Sequence, residues 1–218
     1  MEGSQNLKRA VTTFLTMNPG LVLANLNSLV ELLMFLITIT IGLYTFRIHR
    51  ITNNRKHKLL GIAFILIGLS LITKASLNLL VNNGVLANSE IIRVATLIYA
   101  AFLLFGYTVL DKLFLNIRTY RVFSVQIILF VLALFLINLV SLSFLDFAGF
   151  LLLGFPVLHF FENYLKKKSR NSFLILAGFS GLMLSHASFF LIFINKSLFF
   201  VDNLIRLGSY AILLVHYV

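Results

Sequence analysis

The sequence predicts an all-α integral membrane protein: a bundle of seven transmembrane helices, with the N-terminus outside and the C-terminus inside. Three observations lead there. Of the 218 residues, 60% are hydrophobic and only 11% charged, and the mean hydropathy is +0.99. A soluble domain is about half apolar and about a quarter charged. Secondly, the apolar residues fall in helix-length blocks, each near the roughly 20 residues that a crossing helix needs. Thirdly, the basic residues gather in alternate loops. A β-barrel is excluded, because barrel strands of about ten residues alternate apolar with polar and no block here does so.

Residues 1–19 form an N-terminal extracellular or interfacial segment, and residues 20–218 a single seven-helix domain. The first segment carries Lys8, Arg9, Val11, Phe14, Leu15 and Met17, enough for a short interfacial helix before a break at Pro19-Gly20. Its apolar stretch is too short for a signal peptide, and no small-residue cleavage site follows. Crossings are expected near 20–46, 59–81, 91–112, 122–142, 147–165, 172–195 and 198–217. Asn82-Asn83-Gly84 reads as a turn, Ser143 to Asp146 as a tight connection, and Asn195-Lys196-Ser197 as a brief turn before the last helix. Pro156 is expected to kink the fifth helix.

The loops set the orientation. Arg47, Arg50, Arg55, Lys56 and Lys58 follow the first block; Lys112, Arg118 and Arg121 the third; Lys166, Lys167, Lys168 and Arg170 the fifth. Seven crossings put all three clusters on one side, and loop Lys and Arg residues stay cytoplasmic. Topology therefore accounts for most of the net charge of +11, and no nucleic-acid partner is needed. The expected location is the cell membrane, multi-pass, with the lipid bilayer as first partner. The chain has no Cys, which removes disulfides, thiolate chemistry and Cys-ligated metals.

Ionisable groups inside a crossing are costly and mark functional candidates. Here they are Glu31, Lys74, His159, His186 and Arg206. At about 1.5 Å per residue, Glu31 and His159 lie roughly 16–18 Å below the outer surface, and Lys74, His186, Arg206 and Tyr99 roughly 10–13 Å. Polar and small residues also line up by helical spacing: Asn27, Glu31, Thr38, Gly42 and Thr45 on the first helix; Ser70, Lys74 and Asn78 on the second; Arg93, Thr96, Ala100, Tyr107 and Asp111 on the third; Asp202, Arg206 and Tyr210 on the last. Lipid-facing positions would not collect on one line, so these stripes should meet inside the bundle. Gly178, Gly181, Ser185 and Ser188 make a small-residue face on the sixth helix, suited to close packing.

Two readings of these residues stand. In one, Glu31, Lys74, Tyr99, His186 and Arg206 line an outward-facing pocket for a small-molecule or anionic ligand. In the other, Glu31 neutralises Lys74 or Arg206 and the network fixes helix register. No catalytic motif appears: there is no GxSxG, HExxH or phosphate-loop pattern. The last crossing carries no lysine for a retinal Schiff base, and histidines for a zinc hydrolase are lacking. No enzyme activity, cofactor or metal is expected.

The stretch from Leu184-Ser185-His186 through Phe193, then Leu198, Phe199, Asp202, Arg206, Leu207, Gly208 and Tyr210, resembles the last two helices of prokaryotic and archaeal seven-transmembrane sensor modules, among them the N-terminal membrane regions of some histidine kinases. The likeness covers the final 45 residues or so and rests on common residue types. It implies an extracellular N-terminus and sensing from the outer side. The cytoplasmic output domain of such kinases is missing, so signalling would pass through a separate partner. The expected function is a receptor-like or sensory module. A transporter or channel component, or a structural subunit held to a partner membrane protein or to further copies of itself, are the alternatives.

Overall fold

Short polar side chains mark the helix ends. Asn54 caps one helix by accepting from the Lys56 backbone N–H at 3.0 Å, and Asn88 caps the next by accepting from Glu90 at 2.9 Å; such caps satisfy N-terminal amides that have no partner inside the helix. Pro19 opens the first helix, where its missing N–H costs nothing. Gly84 takes a left-handed φ of +69° in the turn after Asn82, a conformation that lacks a steric penalty only for glycine.

The computed structural model describes residues 19–114, 128, 131–132, 143–187 and 198–218. Among them are six helices: α1 (Pro19–Thr52), α2 (Arg55–Asn82), α3 (Ser89–Phe114), α4 (Ser143–Lys167), α5 (Arg170–Ala187) and α6 (Leu198–Tyr217). No strand occurs among the described residues. The crossing expected near 122–142, the end of the sixth expected helix at 188–195 and residues 1–18 fall outside this description, three isolated positions apart.

Several boundaries differ from expectation. Ser143 to Asp146 is not a connection but the first turn of α4, where the Asp146 carboxylate is favoured by the helix dipole. α1 starts at Pro19, and the segment expected before the Pro19-Gly20 break lies outside the described residues. That helix also continues past residue 46 to Thr52, ending with His49 and Arg50 in its last turn, cations that suit a helix C-terminus.

Four helical stretches, Asn25–Thr52, Arg55–Asn82, Ser89–Phe114 and Phe144–Lys167, are long and apolar enough to cross a membrane. Between 33% and 50% of each apolar window is buried in the protein. The rest presents Leu29, Leu33, Leu36, Leu43, Phe105 and Leu158 outward. Contiguous exposed apolar surface on this scale is foreign to a water-soluble monomer.

The six helices form a closed ring in chain order, each touching its two neighbours, with α6 returning to α1. Asn203 near the start of α6 donates to Asn27 near the start of α1 at 3.3 Å, so these two helices run parallel. α3 and α4 also run parallel. Tyr107 of α3 reaches the histidine that holds Asp146 of α4, and one helical stretch further along both, Phe114 meets Phe160 at 4.6 Å. Thus α1, α3, α4 and α6 begin on one face of the ring, called here the N-terminal face, and α2 and α5 end there.

Glycines let neighbours approach. A Cβ on Gly106 of α3 would sit 2.7 Å from Ile67 Cγ1 and 3.2 Å from the Ala63 carbonyl oxygen on α2. Both groups belong to the buried α2–α3 seam, where Ala63 and Ile67 are 0% exposed. Gly106→Ala is expected to force the helices apart and to lower stability by about 1–3 kcal/mol, the usual cost of overpacking, readable as an earlier unfolding transition in detergent.

Candidate functional site

The polar stripes do meet. On α1, Asn27, Glu31, Thr38 and Thr45 are all buried. Thr38 and Thr45 donate back to their own helix carbonyls at 2.8–3.0 Å, which leaves Glu31 as the stripe's ionisable group. Its carboxylate, 0% exposed, lies 2.8 Å from Lys74 Nζ of α2 and accepts from Asn78 Nδ2, one turn further along α2, at 3.0 Å. Lys74 Nζ also stands 5.7 Å from the ring centre of Tyr99 on α3, a cation–π distance.

A second set of groups lies across the ring. Arg206 of α6 is 3% exposed. Its NH2 donates to Asp202 Oδ2 at 3.2 Å, one turn earlier in the same helix, and its Nε to Ser185 Oγ of α5 at 3.3 Å. The same NH2 is 3.8 Å from Asp146 Oδ1. His186 of α5, 1% exposed, bridges two further helices: Nδ1 lies 3.0 Å from Asp146 Oδ1 and Nε2 lies 2.9 Å from the Tyr107 hydroxyl. Room for its ring comes from Gly149, where a Cβ would stand 2.9–3.0 Å from three ring atoms. Lys74, Asp146 and Arg206 also lie near enough to act on one another electrostatically, so the two sets form one cluster.

All five residues expected from sequence, Glu31, Lys74, Tyr99, His186 and Arg206, therefore sit in this cluster. Sequence reasoning left out Asp146, read as part of a connection, and kept Tyr107 and Asn78 to the stripes, whereas the four-residue spacing of Asp202 and Arg206 already allowed their pairing within the helix. The signal for Asp146 was available: an acidic residue at the head of an apolar block suits a helix N-terminus. His159 stands apart. Its Nε2 accepts from Asn163 Nδ2 at 2.9 Å and its ring abuts Phe160, well down α4 from Asp146.

The chemistry of the cluster follows from its charges. Both cations are engaged by carboxylates, Lys74 by Glu31 and Arg206 by Asp202 and Asp146, which bears against an anion as occupant. Asp146, in the first turn of α4, is the most exposed of these side chains, 30% against 16% for Lys74. Further along the helices an aromatic layer closes the α3–α4–α5 corner. Phe114 lies 4.6 Å from Phe160 and 5.5 Å from Phe179, and Phe160 stacks on Phe179 at 5.0 Å. A separate groove of about 390 Å³ between the end of α2 and the start of α3 is lined by Ile72, Thr73, Ser76, Leu77 and Ile91 among others; it is mostly apolar and does not include the ionisable residues.

Among the described residues, helices long and apolar enough to cross a membrane, with Glu31, His186, Asp202 and Arg206 buried between them, define a helical membrane protein. No protein-family model, curated protein or solved structure matches the chain, so any functional reading rests on the cluster itself.

Proposed function

We propose that the chain is a receptor-like, seven-crossing module of the plasma membrane, with its N-terminus outside, that senses a ligand through the ionisable cluster and signals through a separate membrane partner. The observation that carries this reading is the shape of the polar path. Asp146, in the first turn of α4, is the most exposed of its groups at 30%, and the Phe114–Phe160–Phe179 layer lies further along the helices. A path closed at its inner end suits sensing better than conduction.

Two further observations support the topology. The clusters Arg47 to Lys58 and Lys166 to Arg170 lie at the ends of α1 and α4 and the starts of α2 and α5, all on the face opposite Asp146, as cytoplasmic loops should. Because α3 and α4 begin on the same face, the chain leaves at Phe114 on one side and re-enters at Ser143 on the other; a crossing near 122–142 would make that return. A transport reading is favoured by one feature, the Asp111 carboxylate, buried one turn beyond Tyr107.

The absence of native Cys makes single-cysteine labelling a direct test. With a membrane-impermeant thiol reagent on intact cells, Val85→Cys and Asp146→Cys are expected to react. Arg50→Cys and Lys167→Cys should react only after permeabilisation, and Asp111→Cys slowly in either case. Finding Arg50 and Lys167 on different sides would end the topology, and rapid labelling of Asp111→Cys from both sides would replace sensor with transporter.

A further inference from the structure

The cluster holds three carboxylates, Glu31, Asp146 and Asp202, against two permanent cations, Lys74 and Arg206. Glu31 and Lys74 balance each other in a direct pair. Asp146 and Asp202 share the single guanidinium of Arg206, so this half carries one excess negative charge while His186 is neutral. Protonated His186 cancels it.

We infer that the ligand this cluster takes is a proton, held by His186 beside Asp146 and read out between α3 and α6. The inference deepens the sensing function proposed above and rests on it for the face from which the proton arrives. Hydrogen positions dictate the readout. In the neutral ring, the Nδ1 facing Asp146 carries the hydrogen, because a lone pair aimed at a carboxylate would be repelled. Nε2 is then the acceptor, and the Tyr107 hydroxyl donates to it. When the ring takes a second proton, Nε2–H becomes a donor and Tyr107 must accept. The hydroxyl hydrogen of Tyr107 then needs a new acceptor.

Tyr210 of α6 supplies one. Its ring is 0% exposed, and its hydroxyl lies within reach of the Tyr107 hydroxyl; while Tyr107 donates to His186, Tyr210 can only donate to Tyr107. Protonation at the α4–α5 contact therefore reverses the donor and acceptor roles between Tyr107 of α3 and Tyr210 of α6. One N–H bond forms at Nε2 as one O–H bond of hydronium breaks, and every other change is in hydrogen bonding. The charged and titratable groups facing His186 are Asp146 from α4, Asp202 and Arg206 from α6 and Tyr107 from α3, with Lys74 of α2 acting on Asp146.

The test uses the full chain in nanodiscs, with ¹³C labels on the imidazoles and on the tyrosine rings, followed by NMR across the range of about pH 5 to 8 where histidine changes charge. A histidine resonance that shifts in both Asp146→Asn and Tyr107→Phe identifies His186. It is expected to titrate, and the Tyr210 resonance to move with the same midpoint. Asp146→Asn should move that midpoint to more acid pH by roughly one to three units, the usual influence of a contacting carboxylate. Tyr107→Phe should leave His186 titrating while Tyr210 no longer follows. A His186 signal constant across the range, a Tyr210 signal indifferent to it, or a midpoint unmoved by Asp146→Asn would each overturn the inference. Both faces of a nanodisc meet the buffer, so an inverted topology would leave this result intact and show instead in the cysteine labelling.

Discussion

Arg206→Met is expected to be among the most destabilising single substitutions in the chain, by about 3–5 kcal/mol, the cost of stripping one partner from a buried ion pair. The guanidinium is 3% exposed and serves three partners, Asp202 at 3.2 Å, Ser185 at 3.3 Å and Asp146 at 3.8 Å. Its loss strands Asp202, itself 5% exposed, in a setting where one of its oxygens already lacks a hydrogen-bond donor. Arg206→Lys keeps the charge but replaces a planar fork by a point charge. It is expected to fall between Arg206→Met and the parent, because one ammonium cannot span Ser185 on α5 and Asp202 on α6 in the same geometry. Unfolding by SDS titration, followed by circular dichroism, measures all three. Equal stability of parent and Arg206→Met would show that the pairing of Arg206 contributes nothing net.

Arg206 also shows why the sequence revealed some of this site and not the rest. Its i,i+4 spacing from Asp202 needs only helical geometry, so that pair was readable in advance. The stripe on α1 was readable for the same reason, and its four polar residues are buried as expected. The partner of Glu31 was not. Lys74 and Arg206 lie at similar depths, and α1 borders both α2 and α6, so spacing along single helices left both open. The choice is settled by competition: Arg206 is already held by Asp202 and Asp146, whereas Lys74 has no carboxylate on its own helix. Asp146 was missed because the line between a connection and a first helical turn is the least certain part of any boundary. Tyr107 with His186 was missed because periodicity gives the face of a helix and not which faces meet. Gly149, whose bare Cα admits the His186 ring, carries no sequence signal at all.

The architecture was easier to read than the site because lipid imposes stricter rules than water does. Every backbone polar group in a bilayer must be satisfied within its own segment, so long apolar blocks become helices, and Lys and Arg must stay near the ends. Those rules act on segments and need no knowledge of neighbours. They account for four helices long and apolar enough to cross. The side-chain pairings depend on the order of helices around the ring, and that order is a tertiary property.

The two halves of the cluster should therefore behave differently, and a double-mutant cycle on Glu31 and Lys74 separates them. Glu31 is 0% exposed and Lys74 16%, the pair is neutral as a unit, and no part of the Tyr107–His186–Asp146 chain runs through it. Glu31→Gln takes the paired carboxylate from the Lys74 ammonium, and Lys74→Met leaves a buried carboxylate with Asn78 as a neutral donor. Each is expected to cost about 3–5 kcal/mol. The double variant restores neutrality and replaces the ion pair with an amide and a thioether, so it should recover part of that loss, with a coupling energy toward the upper end of the roughly 0.5–3 kcal/mol seen for residues in contact. It should also keep the pH response of His186, which the α4–α5–α3 contacts carry. If the double variant is as unstable as the sum of the singles, the pair is not the register element described here. If it is stable but no longer responds to pH, Glu31 and Lys74 belong to the sensing path and the division of the cluster into two halves fails.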